Sequence, residues 1–180
     1  MPKIQPGDIV AVRTTGAASE AIRLGSAIES LIRHKVEPDL DNHIAIAHHY
    51  DANGILWYLE GRPSRVGWTS TNYAAAPYTV SNVGQPKTDA QRKAVCAEAV
   101  KLLGTAYDWS AIADDAAQAF GITIPSWHPD FKTGEVPSHL VCSSYAAYLY
   151  AKAGLKHPAG DRNVTPADWV ALILSNRWEG

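Results

Sequence analysis

Two short segments joined by a turn restrict the fold of this chain more than any other feature. His43-Ile-Ala-Ile-Ala-His-His-Tyr50 is followed by Asp51-Ala-Asn-Gly54 and then Ile55-Leu-Trp-Tyr-Leu-Glu60. Runs rich in β-branched and aromatic residues on either side of an Asp/Asn/Gly cluster predict a β-hairpin. Side chains alternate along a strand, so His43, Ala45, Ala47 and His49 share one face, and Ile44, Ile46 and His48 the other. A four-residue loop, Asp51 to Gly54, pairs Tyr50 with Ile55 and Ala45 with Glu60. Directly paired residues point the same way, so Glu60 lies diagonal to His43 on one face. A two-residue loop preserves that relation, whereas an odd-length loop without a bulge destroys it. Ile44, Ile46, Ile55, Trp57 and Leu59 make the opposite face apolar and fit for a core. On the His43 face, the small Ala45 and Ala47 predict that a helix packs closely over the sheet and brings its cysteine near His43.

The remaining elements follow from local signals. Pro6-Gly7-Asp8 is a turn before a short strand, Ile9 to Arg13. Ile22, Leu24, Ile28, Leu31 and Ile32 recur near helical spacing between Ala17 and His34, and Glu37-Pro38-Asp39 ends that helix. Tyr78 to Val83 reads as a strand. Thr88-Asp-Ala-Gln91 is a capping-box pattern opening a helix that ends at Gly104, with Cys96 among its core-facing residues. Asp108 caps a helix running to Phe120. Gly121 to Val136 contains Pro125 and Pro129, and reads as a loop. Thr165-Pro-Ala-Asp168 opens a last helix with Pro166 at its first position.

Composition narrows the class. With 180 residues the chain is read as one domain, 1–180, large enough for a normal core. Sixteen Lys and Arg against 18 Asp and Glu leave no basic surface for nucleic acid. No apolar run approaches the ~20 residues that span a bilayer. The first residues, Met1-Pro-Lys-Ile-Gln-Pro-Gly-Asp8, lack the apolar stretch of a signal peptide. Two cysteines do not suggest a disulfide scaffold. These points lead to the expectation of a cytoplasmic protein, or a phage-encoded one without its own export signal.

Chemistry enters at Cys142. Pro137-Ser-His-Leu-Val-Cys142-Ser-Ser-Tyr-Ala-Ala-Tyr-Leu-Tyr-Ala-Lys-Ala-Gly154 reads as a helix closed by glycine, with the thiol near its start. Unpaired N–H groups and the helix dipole favour thiolate there. The plain alternative is a small buried core residue. His43, on the first hairpin strand, is the candidate base, and a Cys at a helix start with a His on a strand is the layout of nucleophilic catalysis. Glu60 would orient the imidazole and stabilise its protonated form; Asp41 and Asn42 are the fallback orienters. His139, three residues before the cysteine, is the second-choice base or a pocket residue. His43, His48 and His49 raise a metal reading, but His43 and His49 stand about 20 Å apart at ~3.3 Å per residue. No metal and no cofactor are therefore expected.

Gly104-Thr-Ala-Tyr107-Asp-Trp109, Cys142-Ser143-Ser144 and Ala151-Lys-Ala-Gly154 together resemble the NlpC-type cysteine peptidases of the papain-like superfamily. Ordinary members place the His strand after the Cys helix. Here His43-Ile-Ala-Ile precedes it, with Pro6-Gly7-Asp8 near the start and Glu60, Gly61, Val66 and Gly67 following, which resembles the circularly permuted, YiiX-like branch. Val141 replaces an Asp, and Ala45 a Gly, of the ordinary pattern. The resemblance implies an α+β, papain-like fold: a small antiparallel sheet packed against helices, one of which bears the nucleophile. It implies a thiol hydrolase that attacks an amide or ester carbonyl and passes through an acyl-enzyme, with the Cys142 N–H helping to hold the oxyanion. Tyr107 would line the pocket. Trp109, Trp127, Ser143 and His139 are further candidates for the substrate-binding surface.

The preferred reading is an amide-cleaving cysteine peptidase or amidase with Cys142, His43 and Glu60 as its triad. Its substrate would be a peptide, such as a peptidoglycan stem fragment. A lipid acyl hydrolase or acyltransferase on the same fold is the first alternative. A non-enzymatic binding or structural module is the second.

Overall fold

The computed structural model describes residues 3–13, 43–73, 79–109, 138–158 and 164–178. The helix expected between Ala17 and His34, Asp41 and Asn42, the helix expected to end at Phe120, the Gly121 to Val136 loop and Trp127 lie outside these residues.

Five strands form one antiparallel sheet: β1 (Ile9–Val12), β2 (His43–Tyr50), β3 (Leu56–Gly61), β4 (Val66–Thr69) and β5 (Val80–Ser81), in the order β4-β3-β2-β1-β5. The β2–β3 hairpin reaches the expected pairing of Ala45 with Glu60 by an unexpected route. Its loop is five residues, because Tyr50 pairs with Leu56 rather than Ile55. The register shifts between Ala47 and His49, and this bulge at His48 offsets the odd loop. Beyond the bulge His49 no longer shares the His43 face. It stacks on Trp57 and meets Trp68 edge-on, as His48 does.

Three helices are described: α1 (Asp89–Lys101), α2 (Cys142–Lys152) and α3 (Pro166–Ser175). Helices α1 and α3 begin where expected, each with a capping box, of which the one at Thr88 was expected. Thr88 Oγ1 accepts the Gln91 N–H and Thr165 Oγ1 the Asp168 N–H, while each partner side chain reaches back. Helix α2 has another start. The Ser144 hydroxyl accepts the N–H of Val141 and donates to its carbonyl. Gly154, at φ +63°, then carries the chain out of the helix in a conformation that glycine takes without strain.

The main core lies on the Ile44 face. Ile9, Ile44, Ile46 and Leu59 pack there against Val95 and Ala99 of α1 and against Tyr145, Ala146 and Leu149 of α2. Helix α2 is enclosed along most of its length, which explains its run of Ala, Leu and Tyr. The expectation that the cysteine helix covers the Ala45/Ala47 face is therefore wrong. That face instead forms a second cluster with Val10, Val12, Tyr58 and Tyr73. The bulky, branched residues of the Ile44 face bury more apolar area per contact, and they attract the larger helical layer. Ile55 is 47% exposed, since it belongs to the loop rather than to the strand.

Strands β6 (Ala106–Tyr107) and β7 (His139–Leu140) make a separate parallel pair. Sequence patterning did not signal them, because each has only two residues; His139 and Leu140, expected in the cysteine helix, are strand, and that helix begins only at Cys142. They bring Tyr107 beside the residues that lead into α2.

Candidate active site

Cys142 is the first residue of α2 and is 3% exposed. His43 is the first residue of β2, and Glu60 is next to last in β3. The helix and the imidazole approach from opposite faces of the sheet, so the site forms at the end of the strands rather than over a face. Gly61 makes this possible. A Cβ there would lie 3.2 Å from both Cα and N of Cys142, so the helix start rests almost directly on the β3 backbone.

The three side chains are linked. His43 Nε2 stands 2.7 Å from Glu60 Oε2. The Cys142 thiol lies close enough to the His43 ring that each group shifts the ionisation of the other. Because Nε2 is engaged by the carboxylate, Nδ1 is the nitrogen left for sulfur. The backbone N–H groups of Ile44 and Ser143 also reach the sulfur. Helix geometry leaves the first N–H groups of α2 without intrahelical acceptors, so this corner is rich in donors.

Electrostatics follow from these contacts. Burial works against an ionised Cys142, but the hydrogen bond and charge of His43 and the two N–H groups overcome it and hold the thiol below its ordinary range. Burial likewise opposes a charged His43, yet the bonds to Cys142 and Glu60 outweigh it, and its pKa is pushed up to about 10. A thiolate–imidazolium pair is the state these contacts favour.

Glu60 is 3% exposed and held on every side. Oε2 accepts from the Tyr73 hydroxyl at 2.7 Å as well as from His43. Oε1 accepts from Arg62 Nε at 2.7 Å, while another nitrogen of Arg62 donates to the Trp68 carbonyl. Burial favours the protonated acid, but these partners hold Glu60 below the usual carboxylate range. Sequence reasoning did not single out Arg62 or Tyr73. Arg62, two residues after Glu60, was recoverable from strand alternation; Tyr73 arrives through a loop and had no local signal.

The remaining candidates separate. Tyr107 is buried, and burial together with the neighbouring Cys142 pushes the pKa of its hydroxyl up. Trp109, 48% exposed, packs edge-on against Tyr107 with ring centroids 5.2 Å apart, and its Nε1 donates to the Pro63 carbonyl at 2.9 Å. Tyr107 thus lies beside the thiol, and Trp109 packs on its outer side. The Ser143 side chain does not: its hydroxyl donates to the Val164 carbonyl, and its own carbonyl accepts from Trp169 Nε1. Only its backbone N–H faces the sulfur. His139 contributes its backbone to β7, and its side chain lies outside the described set.

No protein-family model matches the sequence, and no curated protein does. Among solved structures, the chain is similar to YiiX from Escherichia coli O157:H7, described as a metalloprotein, DUF1105. The identity is 19%, the TM-score 0.53, and the match covers 83% of this chain but 66% of that one. The likeness is one of fold. It extends to an α+β architecture with a small antiparallel sheet, and the chain spans just under two thirds of the length of YiiX.

Proposed function

We propose that this protein is a cysteine hydrolase that cleaves an amide bond through Cys142, His43 and Glu60. One observation carries the reading: an imidazole held at 2.7 Å by a buried carboxylate lies against a thiol at a helix start and lowers its pKa. Nucleophile, base and orienter then stand in sequence, each within hydrogen-bond reach of the next. The thiolate attacks the carbonyl carbon, and the oxyanion develops near the N–H groups that begin α2. Imidazolium gives its proton to the leaving amine, and the acyl group remains on sulfur. Water, giving a proton to the neutral imidazole, then attacks the thioester and releases the acid.

YiiX is described as a metalloprotein, which raises a metal reading for this chain. The described residues do not fit one. No three His, Cys, Asp or Glu side chains among them form a group that could hold a metal ion. Both oxygens of Glu60 are taken by Tyr73, His43 and Arg62. His48 and His49 approach at Nδ1 to 3.1 Å but supply only two donors.

The substrate in this reading is a peptide, with peptidoglycan stem fragments first among those to try. The experiment is incubation with a panel of stem peptides and acyl esters, followed by mass spectrometry of the intact protein. A thioester adduct on Cys142 with the amide compounds, absent in Cys142→Ala, supports the reading. Cleavage that persists unchanged in Cys142→Ala overturns it, and adducts formed by long-chain esters alone move the chemistry to acyl lipids.

A further inference from the structure

The Cys142–His43–Glu60 reading uses three residues, but a fourth touches the same carboxylate from outside the hairpin. Tyr73 follows β4 and is 8% exposed. Its hydroxyl donates at 2.7 Å to Glu60 Oε2, the same oxygen that holds His43 Nε2. Its ring packs on Tyr58 at a centroid distance of 5.2 Å, and the backbone on either side is tied down, with Tyr73 N–H bonded to the Thr71 carbonyl and Tyr73 carbonyl accepting from Thr79 Oγ1. The phenol is thus fixed independently of the residues it serves.

We propose that Tyr73 is a positioning residue of this site: its hydroxyl fixes the carboxylate oxygen that carries the His43 imidazole. A carboxylate has two soft ways to fail as an orienter. It can rotate, and it can pick up a proton. Arg62 on Oε1 restrains the first, but it leaves Oε2 to swing about that contact. A second donor on Oε2 removes the remaining freedom and stabilises the anion that faces the imidazolium. The phenol itself remains protonated, since burial and the adjacent Glu60 charge push its pKa up. The ionisable groups around Glu60 among the described residues are His43 from β2, Tyr58 from β3, Arg62 just after it, Tyr73, and Cys142 beyond His43. Of these, only His43, Arg62 and Tyr73 bond to it.

The role rests on the proposed triad, and it is testable without a substrate. The rate of Cys142 alkylation by iodoacetamide reports thiolate as a function of pH. In Tyr73→Phe the ring and its packing remain while one donor is lost. Glu60 then takes up a proton at higher pH, His43 loses its counter-charge, and the acid limb of the profile moves up. A charge-assisted hydrogen bond of ordinary strength corresponds to a shift of about one pH unit. In a Glu60→Gln background the same substitution should shift nothing further, which a merely structural role would not produce. An acid limb that coincides in wild type and Tyr73→Phe overturns the proposal, as does a shift that persists undiminished in the Glu60→Gln background. Thermal melts of each variant verify folding, and Tyr73→Trp, which keeps a ring but removes the hydroxyl, serves as the second variant. A wild-type Cys142 no more reactive than Cys96 would defeat the triad itself, a different failure from an unmoved limb.

Discussion

At the scale of residues, the two cysteines make an internal comparison. Cys142 lies beside the His43 ring and two N–H donors that lower its pKa, whereas Cys96 is half-buried, faces the carbonyls of Ala47 and His48, and has its pKa pushed up to about 11, chiefly by burial. At pH 7 that leaves about one Cys96 in ten thousand as thiolate. Brief iodoacetamide treatment near neutral pH should label Cys142 much faster, as peptide mapping would reveal; equal labelling would remove the nucleophile. Under the proposed function, the three residues of the triad should also differ in severity. Cys142→Ala should abolish turnover, and His43→Ala should approach that loss, because a nucleophile and its base fail together. Glu60→Gln keeps a group that can hold the ring but gives up its charge, so its loss in kcat should be smaller by about two orders of magnitude. If Glu60→Gln proves as damaging as Cys142→Ala, the carboxylate does more than orient.

At the scale of elements, the contact between β3 and the start of α2 is the tightest constraint on the site. Gly61→Ala would place a methyl group 3.2 Å from Cys142 Cα and N, and the obstruction is backbone, which cannot rotate away. The helix start should shift by a few tenths of an ångström. Iodoacetamide reactivity of Cys142 should fall by roughly an order of magnitude, as a loosened nucleophile–base contact implies. Thr88→Ala supplies the contrast. It removes a capping box far from the site and should cost about 1 kcal/mol in denaturant unfolding, with Cys142 reactivity unchanged. A Gly61→Ala variant with wild-type reactivity would mean that the close approach has no bearing on the thiol.

For the whole molecule, a buried polar network joins the first strand to the helical layer. The side chains of Asp8 and Lys87 are both fully buried; Asp8 Oδ1 accepts from Lys87 at 2.7 Å and from Arg92 at 2.8 Å. Nearby, Asn82 accepts the Ile9 N–H and donates to Gln85 and to the Tyr150 hydroxyl, which itself donates to the Gly7 carbonyl. Asp8→Ala would leave Lys87 buried with, among the described residues, only the Asn82 carbonyl as partner and should cost about 3–5 kcal/mol in urea unfolding. Lys87→Met should cost less, because Arg92 still answers Asp8. Equal losses in the two variants would argue against this account. Among the described residues no helix is long and apolar enough to cross a membrane.

The sequence alone determined what depends on neighbours in the chain. The strand–turn–strand around Asp51 to Gly54, the capping box at Thr88, the helix start at Thr165 and Pro166, and the glycine that closes α2 are local, and the alternation that set Ala45 opposite Glu60 is nearly so. That pairing stood although the loop is a residue longer than expected, because the bulge at His48 restored the register. What the sequence could not convey was which face of the sheet each layer would choose. Alternation labels two faces but does not assign partners to them; that depends on how much apolar surface each presents to helices distant in sequence. Hence α2 lies on the Ile44 side, the site forms around the strand ends, and the phenol at the carboxylate comes from Tyr73, 13 residues past Glu60. Ser143 illustrates the same limit. Its place in the motif suggested a pocket wall, but its hydroxyl is claimed by the carbonyl of Val164, a contact across 21 residues that only the folded chain creates.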